Sequence, residues 1–478
     1  MAKHDYDLII IGGGAAGLTV AAGAAQLGVK TALIEKKKLG GDCLHYGCVP
    51  SKTLIKSGKV YHYAKNMKQF GLPQDAISPC DIKKVMKRVK DVIKKVGLHD
   101  SEERFTKMGI KVIYGQPEFT SERELIINGK RLSASKFAIS TGSGPLIPPV
   151  EGLKEAGYLT NIEVFSLKKL PEKLLVVGGG PIGVEIAQAL SRLGSRVTIV
   201  DLSPNILDTE DRDMSETVAR QLSAEGVNII CNSLVSKVSL KRGKKAVLIK
   251  NNKNEEKEMI VDEVLVATGR APNVNGLSLE KAGVKYSKRG IETNLKMETS
   301  QKHIYAAGDV NGKYFFTHMA GAEGSLVVRN AVLHIPGKIN YMLTPWTIFT
   351  DPEIASVGYS EKTAKKNNIE YDVYTEVFEE IDRAFAEGET TGKMKILTKK
   401  NSTKIIGTQI VGMNAGEIIS GAVLALNKGM KLSDLATPVF AYPTLSEINK
   451  KSAGKYYSDK IFSEKTRKIL KLLFGYKG

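Results

Sequence analysis

The chain has 478 residues, 42% of them apolar, with a formal charge of +19, which allows two to four globular domains. Its four cysteines, Cys43, Cys48, Cys80 and Cys231, are too few for a disulfide-stapled scaffold and favour a reducing, cytoplasmic compartment. The excess charge is not joined by aromatic platforms or a recognisable nucleic-acid module, so nucleic acid is not an expected partner.

Residues 8–29, LIIIGGGAAGLTVAAGAAQLGV, run 22 residues without a charge. A glycine cluster sits where a strand should turn into a helix, and no basic n-region precedes it. The segment therefore reads as a buried strand-turn-helix rather than a membrane span or export signal. Gly12, Gly14 and Gly17 form GxGxxG, and Glu35 closes the next apolar run 23 residues after Gly12. Next comes GGDCLHYGCVPSK (40–52), beginning at Gly40 and Gly41, with Cys43 and Cys48 five positions apart. Metal ligands, structural thiols and a redox pair are the three readings of such a pair. A zinc site needs about four ligands, and Cys43, His45 and Cys48 lack an obvious fourth, so no metal site is expected. The spacing of Ile82, Val85, Met86, Val89, Val92, Ile93 and Val96 predicts one amphipathic helix over 81–96, its lysines on a solvated face.

The chain then repeats itself. KLLVVGGGPIG brings Gly178, Gly180 and Gly183, and Asp201 closes RVTIVD, again 23 residues after the first glycine. One GxGxxG is weak evidence. Two copies, each between strand and helix with an acid at the same distance, imply two dinucleotide sites. Glycines let the backbone approach a pyrophosphate at a helix N-terminus, and the acid accepts from a ribose hydroxyl. Similar strand ends follow each copy: FAISTGSGP (137–145), with Thr141 and Gly142, and VLVATGRAPN (264–273), with Gly269. Asp201 repels a 2′-phosphate, and 202–208 offers no arginine or lysine to neutralise one, so NADH is expected rather than NADPH. Cys80 and Cys231 lack any such context and are assigned no role.

Two such units plus GGDCLHYGCVPSK resemble the FAD-dependent pyridine nucleotide-disulfide oxidoreductases. The likeness continues through HIYAAGDV (303–310), with Asp309, then FTDPEIASVG (349–358) and YPTLSE (442–447). It implies an α/β fold of two Rossmann-like domains plus a C-terminal α+β dimerisation domain. Expected boundaries are 1–150 and 271–345 for a split FAD domain, 151–270 for the NAD(H) domain and 346–478 for the interface domain. It further implies that Cys48 faces the flavin as the charge-transfer thiolate and that Cys43 is the interchange thiol. Lys52 would sit near the flavin and pair with Glu185, Asp309 would lie near the ribityl chain, and a homodimer would complete each site.

Dithiol and glutathione enzymes of this family place histidine directly before the proline of the YPTLSE-like segment. Tyr442 stands there, Glu447 keeps the glutamate, and no histidine follows His334. An unperturbed tyrosine, with a pKa of about 10, is a poor proton acceptor near neutrality. Tyr442 and DRAFAEGETTGKMKIL (382–397) are similar to the mercuric reductase branch. No cysteine follows Cys231, however, whereas that branch carries a C-terminal pair. The expected activity is electron transfer from NADH through FAD and the Cys43–Cys48 disulfide to a small-molecule or metal-ion acceptor. The alternatives are a dihydrolipoamide dehydrogenase-type reductase and a nucleotide-binding flavoprotein without turnover. His318 is a secondary candidate near the flavin. The tail 463–478 has an apolar face expected to pack on the dimer body, with membrane-surface contact as the less favoured alternative.

Overall fold

A computed structural model of the chain describes residues 4–73 and 76–476. The first parallel sheet runs, in spatial order, Lys111–Tyr114, Thr31–Glu35, Tyr6–Ile11, Lys130–Ile139 and Ile304–Ala306. Leu8, Ile9, Ile10 and Ile11 are all buried, as a parallel strand covered on both faces requires, which accounts for the unbroken apolar run. The strand at Ile304–Ala306 comes from far along the chain, yet it pairs with Phe137–Ile139. Helix Thr317–Val327 then packs on helix Ala15–Gln26. The contact is close: a Cβ on Gly324 would lie 2.7 Å from the Ala16 carbonyl oxygen. The small residues of MAGAEG are thus packing residues.

The second parallel sheet runs Asn228–Ile230, Arg196–Val200, Lys173–Val177 and Glu263–Val266, beside a three-stranded antiparallel sheet spanning 233–261. The chain crosses between the two nucleotide units twice, and the crossings Ser143–Pro145 and Arg270–Pro272 pair antiparallel. A third, five-stranded antiparallel sheet begins at Pro345 and is packed by helices, the longest of them Glu447–Ile461.

The expected basic helix is Ile82–Gly97. It buries Ile82, Met86 and Val89, while Val96 lies exposed past the end of the stripe. Cys80 and Cys231 are partly buried against the core around helix Pro181–Leu193. The tail forms helix Glu464–Phe474, and its last two residues lie outside the described ones. No helix among the described residues is long and apolar enough to cross a membrane.

Candidate active site

Both glycine loops open onto one cavity of about 1930 Å³. That is about twice the upper end of the ~300–1,000 Å³ usual for a single-ligand cleft, so it has room for two dinucleotides. Gly12 has φ +109°, and a Cβ there would meet the Ser140 carbonyl oxygen at 2.2 Å; Gly178 repeats this against Ala267 at 2.4 Å. Gly17 and Gly183 admit their helices against the carbonyls of Gly12 and Gly178. Gly14 and Gly180 differ, because a Cβ on Gly180 would project into open space and one on Gly14 would meet only the Gly41 Cα at an ordinary 3.8 Å, and both line the cavity. These bare backbones are cradles that a pyrophosphate can fill, so the residues present fit FAD and a nicotinamide dinucleotide. Gly41, Thr141, Gly142 and Gly269 also line the cavity. Gly41 approaches Gly14 so closely that a Cβ would lie 2.7 Å from its Cα, and the Thr141 hydroxyl donates to the Asn273 carbonyl.

The two acids do more than the motif suggests. Glu35 accepts from the Gly13 amide at 2.7 Å and from the Lys37 amide at 2.7 Å. Asp201 accepts in the same way from the amides of Gly179 and Ser203. Each carboxylate therefore pins the middle of its glycine loop in addition to facing the cavity.

The cysteines lie where two short-range turns meet. Cys43 sits on helix Gly41–His45, and Cys48 opens helix Cys48–Lys65, with Lys52 one turn further on. Both are free thiols, hydrogen-bonded to each other, and Cys48 is exposed to the cavity. The donation from Cys43, aided by Thr317 and the Lys52 charge, lowers Cys48 from 9.0 to about 6 against the opposing effect of burial. Cys43 is pushed far up by the same bond and by burial. Thr317 Oγ1 lies 3.6 Å from Cys48 Sγ, at the first residue of its helix. Among the described residues no group of three or more His, Cys, Asp or Glu could hold a metal ion.

Lys52 Nζ contacts Glu185 Oε2 at 2.8 Å, the lysine reaching from the cysteine helix to helix Pro181–Leu193. Two further contacts hold the pair: the Phe349 amide donates to Glu185 Oε1 at 2.8 Å, and its ring lies 4.3 Å from Lys52 Nζ. Asp309 lines the cavity, accepts from the Ser143 hydroxyl at 2.5 Å, and lies 3.8 Å from Arg270. Burial raises its pKa above the ordinary carboxylate value, with Ser143 and Arg270 opposing. His318 lines the cavity too, but its Nε2 donates to the Pro345 carbonyl at 2.8 Å and its ring stacks on Phe316. Burial lowers its pKa, with the bond to Pro345 opposing, and the two contacts anchor the ring.

Tyr442 and Glu447 do not line this cavity. Tyr442 is 70% exposed, and its hydroxyl donates to Asp382 at 2.8 Å, so the carboxylate attached to it is Asp382 and not Glu447. That bond raises the tyrosine pKa further above neutrality. Sequence reasoning missed Thr317, Arg270, Phe349 and Asp382 as site residues. Arg270, Phe349 and Asp382 lie within stretches singled out above and Thr317 stands next to His318, but their partners are 60 to 269 positions distant in sequence.

The family model for pyridine nucleotide-disulphide oxidoreductases matches residues 6–324, and the model for their dimerisation domain matches 344–453. A mercuric reductase from Staphylococcus aureus is 35% identical over 458 residues, 95% of this chain and 83% of the relative. A dihydrolipoyl dehydrogenase from Buchnera aphidicola is 36% identical over 459 residues, 94% and 95% of the two chains. Among solved structures, the Cu(II) complex of the HOCl-induced flavoprotein disulfide reductase RclA from Escherichia coli superposes with a TM-score of 0.84 at 27% identity. That match covers 95% of this chain and all of the other. With two nucleotide cradles, a cysteine pair between them and a dimer-forming sheet behind, the chain belongs to the pyridine nucleotide-disulphide oxidoreductases, flavoprotein homodimers that use FAD and NAD(P)H.

Proposed function

We propose that this enzyme passes two electrons from NADH to the Cys43–Cys48 disulfide and from the resulting dithiol to a small acceptor, as in the mercuric reductase branch. The observation that carries this reading is the polarised thiol pair in the lining of the nucleotide cavity, Cys48 lowered and Cys43 raised from the ordinary thiol pKa. FAD, when bound, accepts the hydride equivalent of the reduced nicotinamide and relays two electrons to a disulfide.

This chain's residues then have separate tasks. Gly12, Gly14, Gly17, Glu35, Gly41, Thr141, Gly142 and Asp309 hold FAD, while Gly178, Gly180, Gly183, Asp201 and Gly269 hold the nicotinamide dinucleotide. Two electrons and two protons convert the Cys43–Cys48 disulfide to two thiols. Lys52 holds a positive charge beside Cys48 and favours its thiolate, and Glu185 fixes the ammonium in place. Cys43 donates its proton along the bond to Cys48 and is the thiol that meets the acceptor. Return of two electrons to that acceptor closes the disulfide again. Tyr442 and Glu447 act across the homodimer, presenting a hydroxyl donor where the dithiol enzymes present an imidazole. The split FAD domain (1–150 and 271–345), the NAD(H) domain (151–270) and the interface domain (346–478) are the division of labour we assign. The small number of cysteines supports a cytoplasmic setting.

The dihydrolipoyl dehydrogenase reading is supported by an identity of 36%, against 35% for the mercuric reductase. Tyr442 weighs against it. Anaerobic reduction with NADH, followed by mercuric ion, lipoamide, glutathione disulfide, quinones and oxygen in turn, tests the choice. Fast reoxidation by lipoamide and slow reoxidation by the others would return the enzyme to the dithiol branch.

A further inference from the structure

Helix Glu464–Phe474 stands apart from the machinery described so far. None of its residues is buried, and Leu472 is 85% exposed, with Ile469, Leu470, Leu473 and Phe474 exposed beside it. At 100° per residue these five span an arc of about 200°, with Lys468 and Lys471 outside it and Arg467 at its edge, while Lys465, one turn before Ile469, sits at the N-terminal end of the apolar side itself. None of the four cations has an ion pair or side-chain hydrogen bond among the described residues. Phe462, 70% exposed, precedes the helix, and the exposed Tyr476 lies against Phe474 at its end.

We infer that this helix docks the enzyme on an anionic phospholipid surface, lying in the plane of the interface. Its eleven residues make a rod about 16 Å long, too short to span a bilayer but long enough to sink one apolar face among the acyl chains. Lysine and arginine around an Ile/Leu/Phe face is the composition that membrane-surface helices use. Charge decides between lipid and a second copy of the chain. Pairing this helix with the same helix of a second copy would set its four cations, which have no ion-pair partner among the described residues, against four more. Anionic headgroups are complementary instead. The match to the dimerisation domain also ends at residue 453, before this helix starts.

An isolated helix of this length is marginal in water, so docking also stabilises it. Its start is prepared: Ser463 Oγ accepts from the Thr466 amide at 3.2 Å, and the Thr466 hydroxyl donates to the Lys460 carbonyl.

The test uses the full-length, FAD-loaded dimer and extruded vesicles of phosphatidylcholine alone or mixed equally with phosphatidylglycerol. Co-sedimentation should be at least tenfold stronger on the anionic vesicles and should fall at high salt. Lys468→Gln with Lys471→Gln should weaken it about fivefold per cation. Leu472→Glu with Leu473→Glu should abolish it while flavin reduction by NADH is unchanged. Absence of binding to anionic vesicles, or binding indifferent to both double variants, overturns the proposal. So does dissociation of the dimer by the glutamate pair, which would assign the face to the second copy.

Discussion

Replacing Cys43 by alanine tests the polarity of the thiol pair directly. The donation from Cys43 is the largest influence holding Cys48 down to about 6. A hydrogen bond to a charged acceptor contributes about 1.5–3 kcal/mol net, and one pKa unit corresponds to about 1.4 kcal/mol. Losing the donor should therefore raise Cys48 by about one to two units. Water entering the space left by the sulfur would solvate the thiolate and offset part of this, so the lower figure is the one to expect. Thr317 and Lys52 still favour the thiolate and keep it below the ordinary thiol value. In Cys43→Ser a hydroxyl donor remains, and the shift should be smaller than in Cys43→Ala. Neither variant can form the disulfide, so both should show the long-wavelength charge-transfer absorbance in the oxidised, FAD-loaded protein without added reductant. The band belongs to the deprotonated sulfur: it is present above the Cys48 pKa and is lost as pH falls through it. Titrating its absorbance gives the pKa of each variant. Coincident titration of the alanine and serine variants would refute the donor role of Cys43, and absence of the band in both would refute the placement of Cys48.

Asp201→Asn should narrow the preference for NADH over NADPH in steady-state kinetics, because the carboxylate that repels a 2′-phosphate is removed; a wild-type preference for NADPH would show that pocket to be misread. Arg192 is almost wholly buried between Glu225 and Asp351, at 2.6 and 2.8 Å. Arg192→Met leaves those acids short of a cation and should cost about 3–5 kcal/mol of stability, read by chemical denaturation, with the flavin spectrum of the folded protein unaltered. Tyr442→His should speed lipoamide reduction, as a positioned general base contributes about 10²–10⁴-fold, with Asp382 in place to orient the ring; Tyr442→Phe should leave that activity nearly unchanged. Rapid lipoamide turnover by the wild type would overturn the account of Tyr442.

What could be read beforehand follows from distance along the chain. The glycine loops are local: strand, turn, helix and acid occupy one continuous stretch, so steric and hydrogen-bonding demands leave a pattern. Lys52 is similarly readable, because four positions on a helix carry it one turn past Cys48. The contacts that complete the site have no such pattern. The Phe349 amide reaches Glu185 across 164 positions, and its role is played by backbone, which no residue type announces. Asp382 was inside a quoted stretch, yet nothing in its neighbours says that it meets Tyr442 60 positions later. The tail's periodicity was legible, whereas the exposure of its apolar side required the surrounding structure.

Those long-range contacts converge on one junction, and their arrangement constrains how the enzyme can move. Glu185, Gln188 and Arg192 follow one face of helix Pro181–Leu193 at spacings of three and four. Each is engaged by residues 349–351: the Phe349 amide on Glu185, the Asp351 amide and carbonyl on Gln188, and the Asp351 carboxylate on Arg192. Lys52 and Lys59, two turns apart on the cysteine helix, close the junction from the other side through Glu185 and Asp351. A rigid swing of residues 151–270 away from the cysteines would break the bonds at Glu185, Gln188 and Arg192 together and strip buried charges of their partners, leaving only Lys59 with Asp351. On the proposed mechanism, access of a nicotinamide to the flavin side would then come from local movement of cavity-lining side chains, with Lys52 kept on Glu185.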